Sequence, residues 1–189
     1  MNKYPDAFNH DTILQSEYTK LVEKHSPDLL IETGTYQGHT TEFFCSFGIP
    51  VITTEWYEDN CAVSAERLKN EDNVTIFQGD SATSLTENFH LLQGKKIIAF
   101  LDSHGQDDKV CERELELLSK LDVPPVILIH DFNVPGKNFQ GGYYDYHPYD
   151  YDYFKPYFDL IYKEDGYTYR YNEQSTGRPQ VGVIILEPK

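Results

Sequence analysis

Leu29-Leu30-Ile31-Glu32-Thr33-Gly34-Thr35-Tyr36-Gln37-Gly38-His39-Thr40 is the stretch on which the fold turns. Three apolar residues run into an acid, a Gly-x-x-x-Gly turn follows, and a polar residue able to cap a helix comes next. A short apolar run bounded by turn residues reads as a strand covered on both faces, the kind found in parallel sheets. Glycine at a strand-to-helix turn lets the backbone approach a ligand where a side chain would collide with it.

Working outward, residues 11–25 carry Leu14, Tyr18, Leu21 and Val22 at helical spacing, and Pro27 ends that helix. Strand one falls at 28–33. Residues 39–47 suit a helix with Phe43, Phe44 and Phe47 turned inward, broken by Gly48 and Pro50. Val51-Ile52-Thr53-Thr54 is β-branched throughout and ends in Glu55, giving strand two. A helix over 58–70, a strand at Val74-Thr75-Ile76-Phe77 and a turn at Gly79-Asp80-Ser81 follow, with Ser81 expected to cap a helix reaching Leu91. Ile97 to Leu101 is apolar without a break and ends in Asp102; a helix spans 107–121; Val126 to Ile129 ends in His130-Asp131. Alternating strands and helices of this kind predict an α/β, Rossmann-like three-layer sandwich whose sheet is mostly parallel. Tyr167–Tyr171 and Val181–Leu186, joined by the turn-rich Asn172–Pro179, complete it as a C-terminal antiparallel hairpin.

The 189 residues form one expected domain, 1–189. A formal net charge of -15 argues against nucleic acid or an anionic membrane as partner. Cys45, Cys61 and Cys111 are widely spaced and odd in number, so buried free thiols in a reducing, cytoplasmic setting are expected. No apolar run is long enough to span a membrane and no leader pattern is present. Of 15 tyrosines, seven crowd into 143–157. The surrounding stretch 133–157, rich in Asp, Gly and Pro, is expected to be a lid or acceptor loop over the sheet edge. The competing reading is an acidic loop without fixed structure, or one packed on a second copy in a homodimer.

Ligands of open parallel sheets bind beyond the carboxyl ends of the strands. Five successive strands end there in acids: Glu32, Glu55, Asp80, Asp102 and Asp131. Glu55 lies 21 residues beyond Gly34, the offset at which an acid on the second strand meets ribose hydroxyls. A dinucleotide turn would need glycine where Tyr36 and His39 stand, and a phosphate loop would need a lysine that is absent. A nucleoside without pyrophosphate remains, and S-adenosyl-L-methionine is the natural candidate. A sugar-nucleotide or NAD enzyme on the same architecture, and a binding protein that keeps the pocket without transfer chemistry, are the alternatives. A Ser-His-Asp hydrolase is disfavoured because no Gly-x-Ser-x-Gly elbow follows a strand.

Glu32-x-Gly34-x-x-x-Gly38, Glu55, Gly79-Asp80-Ser81 and Asp102, in this order, resemble the class I S-adenosylmethionine-dependent methyltransferases. Leu101-Asp102-Ser103-His104, Glu114-Leu115-Glu116-Leu117 and Asp131-Phe132-Asn133-Val134-Pro135-Gly136 narrow this to a resemblance to the cephalosporin hydroxylase/rhamnosyl O-methyltransferase-like group. It covers residues 28 to 136 in motif order. The resemblance implies a seven-stranded sheet of order 3-2-1-4-5-7-6 and a cofactor site of Glu32, Gly34, Tyr36, Gly38, Glu55, Trp56, Asp80, Ser81 and Asp102. In it, Gly34 and Gly38 face methionine and ribose, Trp56 lies beside adenine, and Asp80 with Ser81 reads the adenine edge. Trp56 also reads as a simple packing residue.

Metal-dependent members of that superfamily hold a divalent ion after strands four and five, so the resemblance implies Asp102, Asp131 and Asn133 as ligands for Mg2+ or a similar cation. His130 departs from the acid expected before Asp131. The acceptor is expected to be a small molecule, such as a sugar or natural-product hydroxyl. Asp102, Asp131 and His104 are the candidate catalytic groups, because a cation would stabilise an alkoxide and an imidazole titrates near neutrality. His104 reads equally as a turn residue bonded to backbone, and His147 is a weaker candidate base.

Overall fold

The computed structural model describes residues 3–103, 109–141, 143–144 and 147–189. Among these, one seven-stranded sheet contains β1 (Leu29–Thr33), β2 (Val51–Glu55), β3 (Val74–Gln78), β4 (Ile97–Leu101), β5 (Val126–Ile129), β6 (Tyr167–Tyr171) and β7 (Ile184–Pro188). Their order is 3-2-1-4-5-7-6. Strands β1 to β5 are parallel, while β7 runs antiparallel to both β5 and β6. The architecture is the expected Rossmann-like sandwich with its C-terminal hairpin.

Side chains alternate along each strand, so each strand supplies both cores. Ile98 and Phe100 of β4 join Leu30, Leu128 and the aromatic residues Tyr18, Phe43 and Phe44, which come from α1 (Thr12–His25) and α2 (His39–Cys45). Ile97, Ala99 and Leu101 face the other way. They meet Leu85 of α4 (Ser81–Glu87), Leu115 and Leu118 of α5 (Val110–Leu118), and Phe154 and Phe158 of α6 (Tyr151–Tyr162). The remaining helix, α3 (Glu58–Arg67), lies against β2 and the edge strand β3.

Three local expectations change. The loop expected over 133–157 is helical from Tyr151 onward, with Asp150 capping α6 by accepting from the Tyr153 N–H. Phe154, Phe158, Ile161 and Tyr162 form one buried face at helical spacing. Pro156 obscures that pattern in the sequence; it lies inside the helix and removes one ladder bond, and the buried aromatic face holds the helix across it. The second half of the segment is therefore core. The Asp80 side chain, rather than Ser81, caps α4 through the Thr83 N–H. Finally, α5 and β7 are shorter than expected, starting at Val110 and Ile184.

Candidate active site

A cleft of about 490 Å3 opens beyond the carboxyl ends of β1 to β4, a volume in the range of small-molecule sites. Gly34, Tyr36, Glu55, Trp56, Asp80, Ser81 and Asp102 all line it. Gly34 has φ +86, and a Cβ there would stand 2.5 Å from the Asp102 carbonyl oxygen. Glycine is thus required because the β1 turn crosses directly over the end of β4. Gly38 serves differently. It has φ +80, and its missing Cβ faces Ser64, Arg67 and Leu68, so it brings the start of α2 against α3 and does not itself line the cleft.

Glu55 is fixed by backbone: the Tyr36 N–H donates to Oε2 at 2.7 Å and the Tyr57 N–H to Oε1 at 2.8 Å. Oε1 also accepts from the Asn60 side-chain amide at 3.5 Å, and Oε2 keeps a second lone pair for a ligand hydroxyl. The residues flanking this carboxylate are open to solvent, Tyr36 61% and Trp56 46% exposed, so Trp56 forms a rim and not a core contact. Beside them the Thr54 hydroxyl is buried without a hydrogen-bond partner among the described residues and lines the same cleft. An orphaned buried hydroxyl is costly unless a ligand or water completes it.

Glu32, by contrast, lies beneath the floor, 1% exposed and outside the cleft lining. Thr41 and Thr53 donate to its Oε2 at 2.5 and 2.7 Å, and Thr53 is also 2.6 Å from the Thr35 hydroxyl. Burial pushes its carboxyl up to about 8, with the two threonine hydroxyls opposing and the Asp102 and Glu55 charges adding to the rise. At neutral pH it is a protonated bolt under the glycine turn.

Asp80 meets the Arg113 guanidinium in a two-pronged pair at 3.0 and 2.7 Å. Burial would raise its carboxyl, but the Arg113 and Thr83 hydrogen bonds outweigh it and hold the group below the usual carboxylate range. Ser81 and Ser103 both donate to Oε1 of the buried Glu114, tying the floor to α5.

At the tip of β5, His130 Nδ1 is 2.9 Å from Asp102 Oδ1 and 3.6 Å from Asp131 Oδ2. His130 is 3% exposed. Burial would lower its pKa, but the facing Asp102 and Asp131 carboxylates prevail and push it up to about 10, so the ring is an imidazolium at neutral pH. One ligating atom from each of the three residues lies within 4.8 Å of the others. Two carboxylates and an imidazole suit a divalent cation, provided the ring gives up its Nδ1 proton, and the nitrogen shifts the preference from magnesium towards manganese or iron. His130 joins the two expected carboxylates in this cluster. Asn133 is exposed, and its backbone N–H donates to the Tyr149 carbonyl. Asp131 has φ +55, and the backbone of Gly141 packs on it so closely that a Cβ would come within 2.9 Å. His104 lies outside the described residues, and so does the side chain of His147.

Sequence reasoning missed one whole wall of the cleft. Asp6, Asn9 and His10, upstream of α1, line it together with Gln37, His39 and Thr40. Nothing in Asp6–His10 suggests a site by spacing. Only Asp11, a good cap for α1, marks where the preceding chain must turn.

The chain matches no protein-family model and no curated protein by sequence. Solved structures match it over most of its length. An O-methyltransferase from Bacillus cereus in complex with SAH is 17% identical with a TM-score of 0.69, covering 94% of this chain and 81% of its own. TomG from Streptomyces achromogenes, an O-methyltransferase involved in tomaymycin synthesis and in complex with SAM, is 13% identical with a TM-score of 0.65, covering 94% and 80%. The N-terminal domain of EvdMO1, in the presence of SAH and D-fucose, is 12% identical with a TM-score of 0.59, covering 92% and 82%. At these identities the likeness establishes the fold: the chain has the Rossmann-like fold of SAM-dependent O-methyltransferases.

Proposed function

We propose that this chain transfers a methyl group from S-adenosylmethionine to a hydroxyl of a small molecule, such as a sugar or natural product. The observation that carries the reading is Glu55, held by two backbone N–H groups at the tip of β2 with a lone pair of Oε2 left for a ribose hydroxyl. The absence of a pyrophosphate turn between Gly34 and Gly38 favours this cofactor over NAD. Gly34 brings the β1 turn onto the Asp102 backbone, so a cofactor held over that turn would lie beside Asp102.

In the transfer, an acceptor oxygen attacks the methyl carbon in line with the sulfur. The carbon–sulfur bond breaks with its electron pair going to sulfur, and the hydroxyl proton leaves to a base. The fold's contribution is alignment. Asp102 and Asp131 are the proposed proton acceptors, with the His130 imidazolium holding both carboxylates in place. His104 is the second candidate base. Asp102, His130 and Asp131 would also hold a divalent cation, which when bound stabilises negative charge on the acceptor oxygen. The segment 133–148, ahead of α6, is the proposed acceptor wall, since Gly141 rests on Asp131. The acidic net charge supports a small-molecule acceptor over nucleic acid. Three free cysteines are consistent with a reducing, cytoplasmic setting, and among the described residues no helix is long and apolar enough to cross a membrane.

Methyl release from labelled S-adenosylmethionine onto sugar and phenol panels, with chelator, magnesium or manganese, is the test. Asp131→Ala should retain cofactor binding while turnover falls by about 100-fold or more. Full activity in that variant would remove Asp131 from the reaction.

A further inference from the structure

The seven-stranded sheet ends at β6, which pairs with β7 on one side and with no other strand among the described residues. Its register with β7 is unbroken, one residue to one, from Tyr167 opposite Pro188 to Tyr171 opposite Ile184. Just outside the strand, the Asn172 N–H donates to the Val183 carbonyl and the Lys189 N–H donates to the Gly166 carbonyl, each at 3.0 Å. Antiparallel bonding alternates by residue, so Gly166, Thr168, Arg170 and Asn172 turn their backbone groups towards β7. Pro188, which has no N–H to give, accordingly sits opposite Tyr167, where none is needed. The N–H and C=O groups of Tyr167, Tyr169 and Tyr171 therefore point out of the free edge, and among the described residues no backbone group bonds to them there.

Natural sheets guard such an edge with lysine, proline, a bulge or an exposed charge. β6 has no lysine, proline or bulge. Its one charge, Arg170, is turned to the α1 face, 3.1 Å from Glu17 Oε2 and 3.9 Å from Glu187 Oε1. The three tyrosines share the opposite face with α6: Tyr167 and Tyr171 pack on the core there, and Tyr169, 44% exposed, stacks on Tyr151 at 4.1 Å. The strand Tyr-Thr-Tyr-Arg-Tyr is also nearly its own reverse. Laid antiparallel on a second copy and centred on Tyr169, it sets Tyr169 opposite Tyr169, Tyr167 opposite Tyr171 and Thr168 opposite Arg170. Each tyrosine pair then exchanges both backbone bonds, no outward group is left over, and the rings meet as aromatic cross-strand pairs.

We propose that β6 is a dimerisation edge: it pairs antiparallel with β6 of a second copy about a two-fold axis at Tyr169, joining the two sheets into one. A two-fold contact uses the same edge of both copies and so closes at two. The cleft lies beyond β1 to β4, and β5 and β7 stand between β4 and β6, so dimerisation leaves both clefts open and stands apart from the methyl-transfer reading. A strand of five residues buries little area, and chains of net charge -15 repel each other. The pairing is therefore weak, with half-association at about 10 μM, and tightens as salt screens the repulsion.

Sedimentation velocity from about 1 to about 300 μM tests it, with a dimer expected to grow in across that range. Tyr169→Lys sets like charges opposite each other on the axis, and Tyr169→Pro deletes the outward N–H without touching a bond to β7. Each should weaken association by about tenfold or more while the far-ultraviolet circular dichroism stays native. A cysteine pair reads the register. Cys61 is the one cysteine that is not buried, so the background is Cys61→Ser. In it, Tyr169→Cys should form an interchain disulfide under mild oxidation, because hydrogen-bonded residues directly opposite stand about 5.5 Å apart at Cα. Thr168→Cys, two residues out of register with its own copy, should not. A monomer over the whole range, a dimer indifferent to both Tyr169→Lys and Tyr169→Pro, or equal cross-linking at 168 and 169 would overturn the inference.

Discussion

The tips of β1 and β2 and the tips of β4 and β5 each present two acids, yet the acids are satisfied in opposite ways. At the first pair the donors to Glu32 and Glu55 among the described residues are uncharged: two threonine hydroxyls below the floor, and two backbone N–H groups and the Asn60 amide at the rim. At the second pair the partner is a buried imidazolium between Asp102 and Asp131. Neutral donors make a rigid cradle. An ionic cluster holds a mobile proton, or would exchange it for a cation, and is the part suited to chemistry. The difference separates a holding end from a reacting end on one sheet edge.

The largest effect should come at the reacting end. Removing the cation from a buried cluster leaves its carboxylates facing each other, so His130→Ala should cost about 3 kcal/mol of stability by urea unfolding. A loss below 1 kcal/mol would mean that groups other than His130 satisfy those acids.

At the holding end the two glycines divide the same way. Gly34→Ala forces a Cβ onto the Asp102 carbonyl at 2.5 Å in addition to its φ of +86. It should cost about 2–3 kcal/mol and abolish cofactor binding by pushing the two ends apart. Gly38→Ala meets only side-chain atoms at 3.2 Å or more. It should cost about 1 kcal/mol, chiefly for its positive φ, and spare binding. Equal losses of affinity in the two variants would return Gly38 to the ligand site.

The last effect is a pH dependence and concerns Glu32. Its folded carboxyl titrates at about 8 against an ordinary 4.5. The folded chain therefore keeps a proton that the unfolded chain has lost. The contribution is fully present below the unfolded value and disappears as pH rises through about 8. Thermal melts from pH 5 to 9 should show this fall, and Glu32→Gln should flatten it. An unchanged slope would place the titration elsewhere.

Much of this was readable in the residues. The apolar runs ending in acids gave the strand positions, and Gly34, Glu55 and Asp102 could be placed at one edge from their offsets alone. What resisted reading was whatever depended on a neighbour distant in sequence. Gly38 looks like Gly34 until α3 is seen packed against it. Glu32 looks like Glu55 in the sequence, but the register sets Glu32 opposite Thr53, two residues short of the tip where Glu55 stands, and Thr41 of α2 covers it there. In α6, Pro156 and the tyrosines mimic a loop, whereas Phe154 and Phe158 bury a helix face. The Asp6–His10 turn carries no local signal because its conformation is imposed by the aromatic core and the 175–178 loop.

The division of labour stands or falls on what Glu55 holds. Calorimetric titration of the unaltered chain and of Glu55→Ala with S-adenosylhomocysteine and NAD tests it directly. The expected result is saturable binding of S-adenosylhomocysteine, weakened about tenfold or more in Glu55→Ala, with NAD not bound. Preference for NAD, or undiminished S-adenosylhomocysteine binding in Glu55→Ala, would contradict it.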